Sequence, residues 1–117
     1  MPRLSNRDVR SYVNDRKLFK TNAGTIWSDY LSAPKAKRSM YVVYSYDTHF
    51  PMYVYDCETK QWFGNSDKYS PTTSKHQHYA RPDADITWLD RPDTQRLVTE
   101  RSYSNYVMWR MWKEAVA

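Results

Sequence analysis

The chain has 117 residues, a length that suits one domain with a single core and a thin folding margin. Its single cysteine, Cys57, excludes a disulfide framework and a thiolate cluster for zinc, and no run approaches the ~18 consecutive apolar residues of a membrane span. The net charge of +5 is placed unevenly: residues 1–38 carry nine Lys/Arg against three acids, residues 39–82 four of each, and residues 83–117 five against six.

In chain order, Ser5 and Asp8 have the spacing of a capping box, and a helix is expected from Asn6 to Lys17. It would place Val9, Tyr12, Val13 and Arg16 on one side and fan Arg3, Arg7, Arg10 and Lys17 over the rest. Asn22-Ala23-Gly24 reads as a turn, Thr25 to Trp27 as extended chain, and Ser28 to Leu31 as a possible helical turn. Ala33 to Arg38, with Pro34 and three cations, reads as a loop.

Met40 to Tyr46 is the clearest strand, and both of its alternating side-chain sets are apolar, so it is expected to be central and covered on each side. Met52 to Tyr55 and Gln61 to Phe63 follow as further strands of an antiparallel meander. From Ser66 to Asp85 little has core character, and Pro71 and Pro82 argue against a regular element, so residues 66–89 are expected to be a long polar functional loop. Within it, Ile86 to Leu89 is an apolar patch that suits a fourth strand or an anchor. Asp90, Pro92 and Asp93 signal a helix start, and a long amphipathic helix is expected from Arg91 to Glu114. The expected fold is thus one α+β domain over 1–117: a basic helical region (1–38), a short three- or four-stranded antiparallel meander (39–65), the polar loop (66–89) and a C-terminal helix (90–117) packed over the sheet.

Three groups of residues invite a functional reading. The polar loop brings Ser70, Thr72, Thr73, Ser74, Lys75, His76, Gln77 and Arg81 within twelve residues, a mixture of donors that serves an oxyanion; the plainer account is that Ser and Thr satisfy the backbone of an irregular loop. The basic third offers Arg7, Arg10, Arg16, Lys17, Lys20, Lys35, Lys37 and Arg38 for phosphate contacts, with Tyr12 and Phe19 for stacking; the plainer account is a solvated face. Tyr106, Trp109 and Trp112 on the C-terminal helix are either deeply buried or a protein interface.

Other chemistry is less well served. His76-Gln77-His78 would bring two rings to one side only in extended chain, and with His49 and Cys57 no ligand set is complete, so neither a metal nor a cofactor is expected. Ser70 or Ser74 beside His76 lacks a nucleophile elbow, and Asp56 and Glu58 disfavour a Cys57 thiolate. An enzyme of a phosphate-bearing substrate, with His76 as acid or base and Lys75 and Arg81 holding the phosphate, is the third-ranked expectation.

The runs VVYSYDTHFPMYVYD and WFGNSDKYSPTTSKHQHYARP resemble a family of small uncharacterised proteins encoded by tailed bacteriophages. The likeness rests on Tyr41 to Tyr46, Thr48 to Pro51, Trp62 to Asn65, Tyr69, Ser70 and Thr72 to Gln77, about half the chain. It departs at Asp47, where the pattern has a small residue such as Gly. The resemblance implies a phage origin, the cytoplasm of an infected bacterial host, and a role in host takeover, defence evasion or nucleic-acid handling. It also implies that the polar loop, with Tyr69 and a pocket beside His49, is a real site. The expected function is therefore non-enzymatic binding of a polyanion, foremost DNA or RNA, with docking on a host protein or on a second copy as the alternative.

Overall fold

The computed structural model describes residues 3–31, 39–48, 50–67 and 70–99. Seven strands, β1 (Arg3–Leu4), β2 (Lys20–Thr21), β3 (Ile26–Leu31), β4 (Met40–Ser45), β5 (Pro51–Asp56), β6 (Gln61–Asn65) and β7 (Ile86–Leu89), form one open sheet in strictly sequential order. Three helices accompany them: α1 (Val9–Asn14), entered through a 3-10 turn at Asn6–Asp8, α2 (Pro71–Ala80) and α3 (Arg91–Thr99). The inner pairs are antiparallel, but β1–β2 and β6–β7 are parallel.

The α+β class holds, whereas the expected three- or four-stranded antiparallel meander does not: the sheet is seven-stranded and mixed. Three of the additional strands lie within residues 1–38, expected as a helical region, and Ser28 to Leu31 continues β3 instead of turning. The two-residue strands β1 and β2 are too short to leave an alternating pattern. Pairing of Trp62 to Asn65 with Ile86 to Leu89 makes the apolar patch a true edge strand.

β4 is buried along its whole length, as its two apolar faces require. Tyr41 and Val43 join Val9, Val13, Phe19, Tyr53, Trp62 and Ala80 in a core under α1 and α2. Met40, Val42 and Tyr44 join Val54, Phe63, Leu89 and Leu97 in a second core under α3.

Topology decides which helices meet. Between β2 and β6 the chain reverses four times, so β6 runs parallel to β2, and both crossovers step in the same direction across the sheet. Right-handed crossovers then place α1 and α2 on the same face. The two helices do pack against each other there, with Val9, Val13 and Ala80 sharing one core.

The expected helix over Asn6 to Lys17 is shorter than its signals suggest. Ser5 donates to the Asp8 carboxylate (2.8 Å) instead of capping a backbone N–H. At the other end Lys17 N–H bonds Tyr12 O and Arg16 N–H bonds Val13 O, the paired bonds of a Schellman cap, with Arg16 in the left-handed region at φ 53°. α3 begins as expected: the Asp90 carboxylate accepts from the Asp93 N–H (2.9 Å), and Thr94 N–H bonds Asp90 O. The rest of the expected helix, from 100 to Glu114, lies outside the described residues.

Candidate functional site

The central correction concerns residues 66–89. Pro71 and Pro82 bracket a helix instead of forbidding one: Pro71 sits in its first turn and Pro82 follows the C-cap residue Arg81. Ser70 is the N-cap, its hydroxyl accepting from the Thr73 N–H (3.1 Å) and lying 3.0 Å from the Thr73 hydroxyl. Serine as cap and proline at the first helical position was a readable start signal.

α2 divides the predicted pocket residues between two sides. Thr73, His76, Gln77 and Ala80 are buried at helical spacing against the sheet. Gln77 Nε2 donates to Asn65 O (2.8 Å) and Asp67 O (3.0 Å), while the Gln77 carbonyl accepts from the Tyr53 hydroxyl (2.7 Å). Asn65 in turn donates to Pro51 O. These bonds satisfy most of the buried polar groups, while Gln77 Oε1 is buried with no hydrogen-bond partner among the described residues. Thr72, Lys75, His78, Tyr79 and Arg81 are exposed, with Ser74 between the two sides. The Arg81 guanidinium lies 5.4 Å from the centre of the Trp88 indole.

His76 meets Ser45 from the end of β4, with 2.7 Å between Nδ1 and Oγ, and the Tyr46 ring stands 5.4 Å from the imidazole. Burial pushes the His76 pKa below its ordinary value, so the ring is neutral at pH 7. The expected trio of His76, Lys75 and Arg81 does not converge, since the imidazole is buried and both cations are exposed. His76 and His78 likewise differ in burial, so their i, i+2 spacing on a helix does not make a paired ligand. Among the described residues no group of three or more His, Cys, Asp or Glu gathers at a metal-holding distance. At Cys57, burial foremost and the neighbouring Asp56 push the thiol pKa up.

The basic third separates as well. Arg16 bonds Asn14 O (2.9 Å), lies 4.7 Å over the Tyr55 ring, and its carbonyl accepts from the Tyr30 hydroxyl, so it is part of the fold. Lys17 stands 3.9 Å from Asp15 and 5.8 Å from the Tyr12 ring, and Lys20 is half-buried on β2 over Gly24. Arg7 is exposed on the turn that packs against α2. Arg10 crosses to α2, where Nη2 donates to the His78 carbonyl at 2.6 Å. Its Nε is buried and has no hydrogen-bond partner among the described residues. Lys35, Lys37, Arg38, His49, Tyr69, Tyr106, Trp109 and Trp112 lie outside the described residues.

Arg10 of α1 thus meets α2 at His78, close to its C-cap Arg81, and the turn that carries Arg7 also packs against α2. Tyr53 reports the same grouping: burial pushes its phenol up to about 12, opposed by the positive charges of Arg81 and Arg10. Asn14 and Asp83 close the margin with reciprocal bonds, Asn14 Nδ2 to Asp83 Oδ2 (2.8 Å) and Asp83 N–H to Asn14 Oδ1 (2.7 Å). Ser74, Lys75, His78 and Tyr79 line an open concavity on the outer side of α2. Among the described residues no helix is long and apolar enough to cross a membrane. Comparison with known proteins finds no matching family model, no matching curated sequence and no matching solved structure.

Proposed function

We propose that the chain binds a polyanion, foremost nucleic acid, without catalysis, through the joint face of α1 and α2. The observation that carries this is the 2.6 Å bond from Arg10 to the His78 carbonyl, which unites basic residues 68 positions apart in sequence. Arg7, Lys75 and Arg81 add exposed cations to that face, and the Tyr79 ring beside the Lys75 concavity offers a stacking surface. The phage resemblance extends the proposal to an accessory protein acting in the cytoplasm of an infected bacterium.

The test is fluorescence anisotropy of labelled single-stranded and duplex oligonucleotides, DNA and RNA, titrated with the full chain over a range of salt. The expected result is affinity that falls steeply with salt and weakens in Arg7→Gln and Lys75→Gln. Absent or salt-insensitive binding overturns it. One stoichiometric host protein copurifying without nucleic acid would move the function to protein docking.

A further inference from the structure

We infer that a second site, separate from the basic face, binds a small planar-ring molecule bearing a phosphate, of the class of a nucleoside monophosphate. It is the cavity of about 250 Å³ between the end of β4, the first turn of α2 and the start of α3. Its volume lies just under the range of about 300–1,000 Å³ usual for drug-sized ligands, which suits one small molecule and not a polymer.

Its lining is chemically divided. On one wall the Ser70 and Thr73 hydroxyls stand at the positive end of α2, and Arg91 enters from α3 with Nε 3.7 Å from the Asp67 carboxylate. That wall suits the phosphate. Tyr46 and Phe50 supply aromatic surface for a flat ring, and Gln95 contributes an amide. Ser45 lines the cavity with its hydroxyl held by the neutral imidazole of His76. The Asp47 carboxylate, also in the lining, is an acceptor, so it suits a ring edge carrying an amino group and not the phosphate.

Backbone strain points to the same place. Tyr46 has φ 65°, a left-handed conformation that an aromatic side chain disfavours. Two hydrogen bonds hold it there, from its N–H to Thr25 O (2.8 Å) and from Trp27 Nε1 to its carbonyl (2.8 Å). The result is a fixed backbone that leaves the Tyr46 ring 55% exposed beside the cavity. Strained residues held by their surroundings are a recurrent mark of ligand sites.

The test is calorimetric titration of the full chain with adenosine monophosphate and, separately, inorganic phosphate, alongside nitrogen NMR of the histidine rings. Adenosine monophosphate is expected to bind with a Kd below about 1 mM and at least about tenfold tighter than inorganic phosphate, to shift the His76 ring signals, and to lose at least about tenfold in Arg91→Gln. Because Arg91 also faces Asp67, Tyr46→Leu is the second variant: it should weaken adenosine monophosphate while leaving inorganic phosphate unchanged. Equal affinity for the two ligands, unaltered binding in both variants, or a shift confined to His78 overturns the site. The last outcome would put the nucleotide on the basic face.

Discussion

Ser45 Oγ and His76 Nδ1 lie 2.7 Å apart, a hydrogen bond that ties the last residue of β4 to the buried side of α2. With both residues nearly inaccessible, the Ser45 hydroxyl is the group that meets the imidazole at Nδ1. Replacing Ser45 by Ala leaves that nitrogen without the hydroxyl and should destabilise the fold by about 1–3 kcal/mol, read as a lower denaturant midpoint at unchanged slope. A variant as stable as the parent would mean that water replaces the hydroxyl at no cost.

His76 also makes stability depend on pH with a definite sign. Its folded pKa lies below the ordinary histidine value of ~6.5, so on acidification the unfolded chain takes up the proton first. The contribution is complete above that ordinary value and is lost as pH falls through it toward the folded pKa. The melting temperature should therefore drop as pH falls through about 6.5, and His76→Gln should flatten that drop. An equal pH response in parent and variant would assign the effect to other groups.

At Gly64, side chains of β7 pack close over β6. A Cβ built on it would lie 2.7 Å from Trp88 Cζ3 and 2.8 Å from Ile86 Cγ2. Both contacts are to side chains of the edge strand, and Gly64 pairs directly with Trp88, so the indole and the Ile86 methyl would both have to shift. Gly64→Ala should cost about 1–3 kcal/mol, the usual range for overpacking. Since Trp88 also carries Arg81 over its ring, the same change should alter tryptophan fluorescence.

What the sequence shows of this fold depends on the kind of signal each element leaves. β4 is legible because it is apolar on both faces, and the start of α3 because Asp90, Pro92 and Asp93 are explicit punctuation. α2 is not legible by periodicity, since its buried stripe is Thr73, His76, Gln77 and Ala80 and three of these are polar. Those residues are buried through hydrogen bonds to Asn65, Asp67, Ser45 and Ser70, partners that sequence alone cannot assign. The site suffers the same way: Arg10 and His78 are brought together by two like-handed crossovers, while Arg91 enters the cavity from a helix with no sequence link to Ser45.

The N-cap of α2 offers a direct check of that helix. Ser70→Ala removes the acceptor for the Thr73 N–H and should cost about 1 kcal/mol, whereas Ser70→Asp retains it. If the segment were the irregular polar loop that its composition suggests, both variants would be neutral.

The polyanion proposal separates a local face from the effect of net charge alone. Arg7 and Lys75 are exposed on the two packed segments, while Lys60 is an exposed cation in the turn between β5 and β6 and belongs to neither helix. Each phosphate contact removed should lower the slope of log affinity against log salt by about 0.7–0.9. Arg7→Gln and Lys75→Gln should each show that loss and together nearly double it, while Lys60→Gln leaves the slope unchanged. Arg10→Gln should do more than either, because it also removes the bond to the His78 carbonyl that joins the helices, so its loss of binding should be accompanied by a lower melting temperature. If Lys60→Gln weakens binding as much as Lys75→Gln, attraction is set by the overall charge of +5 and the α1–α2 face has no special part in it.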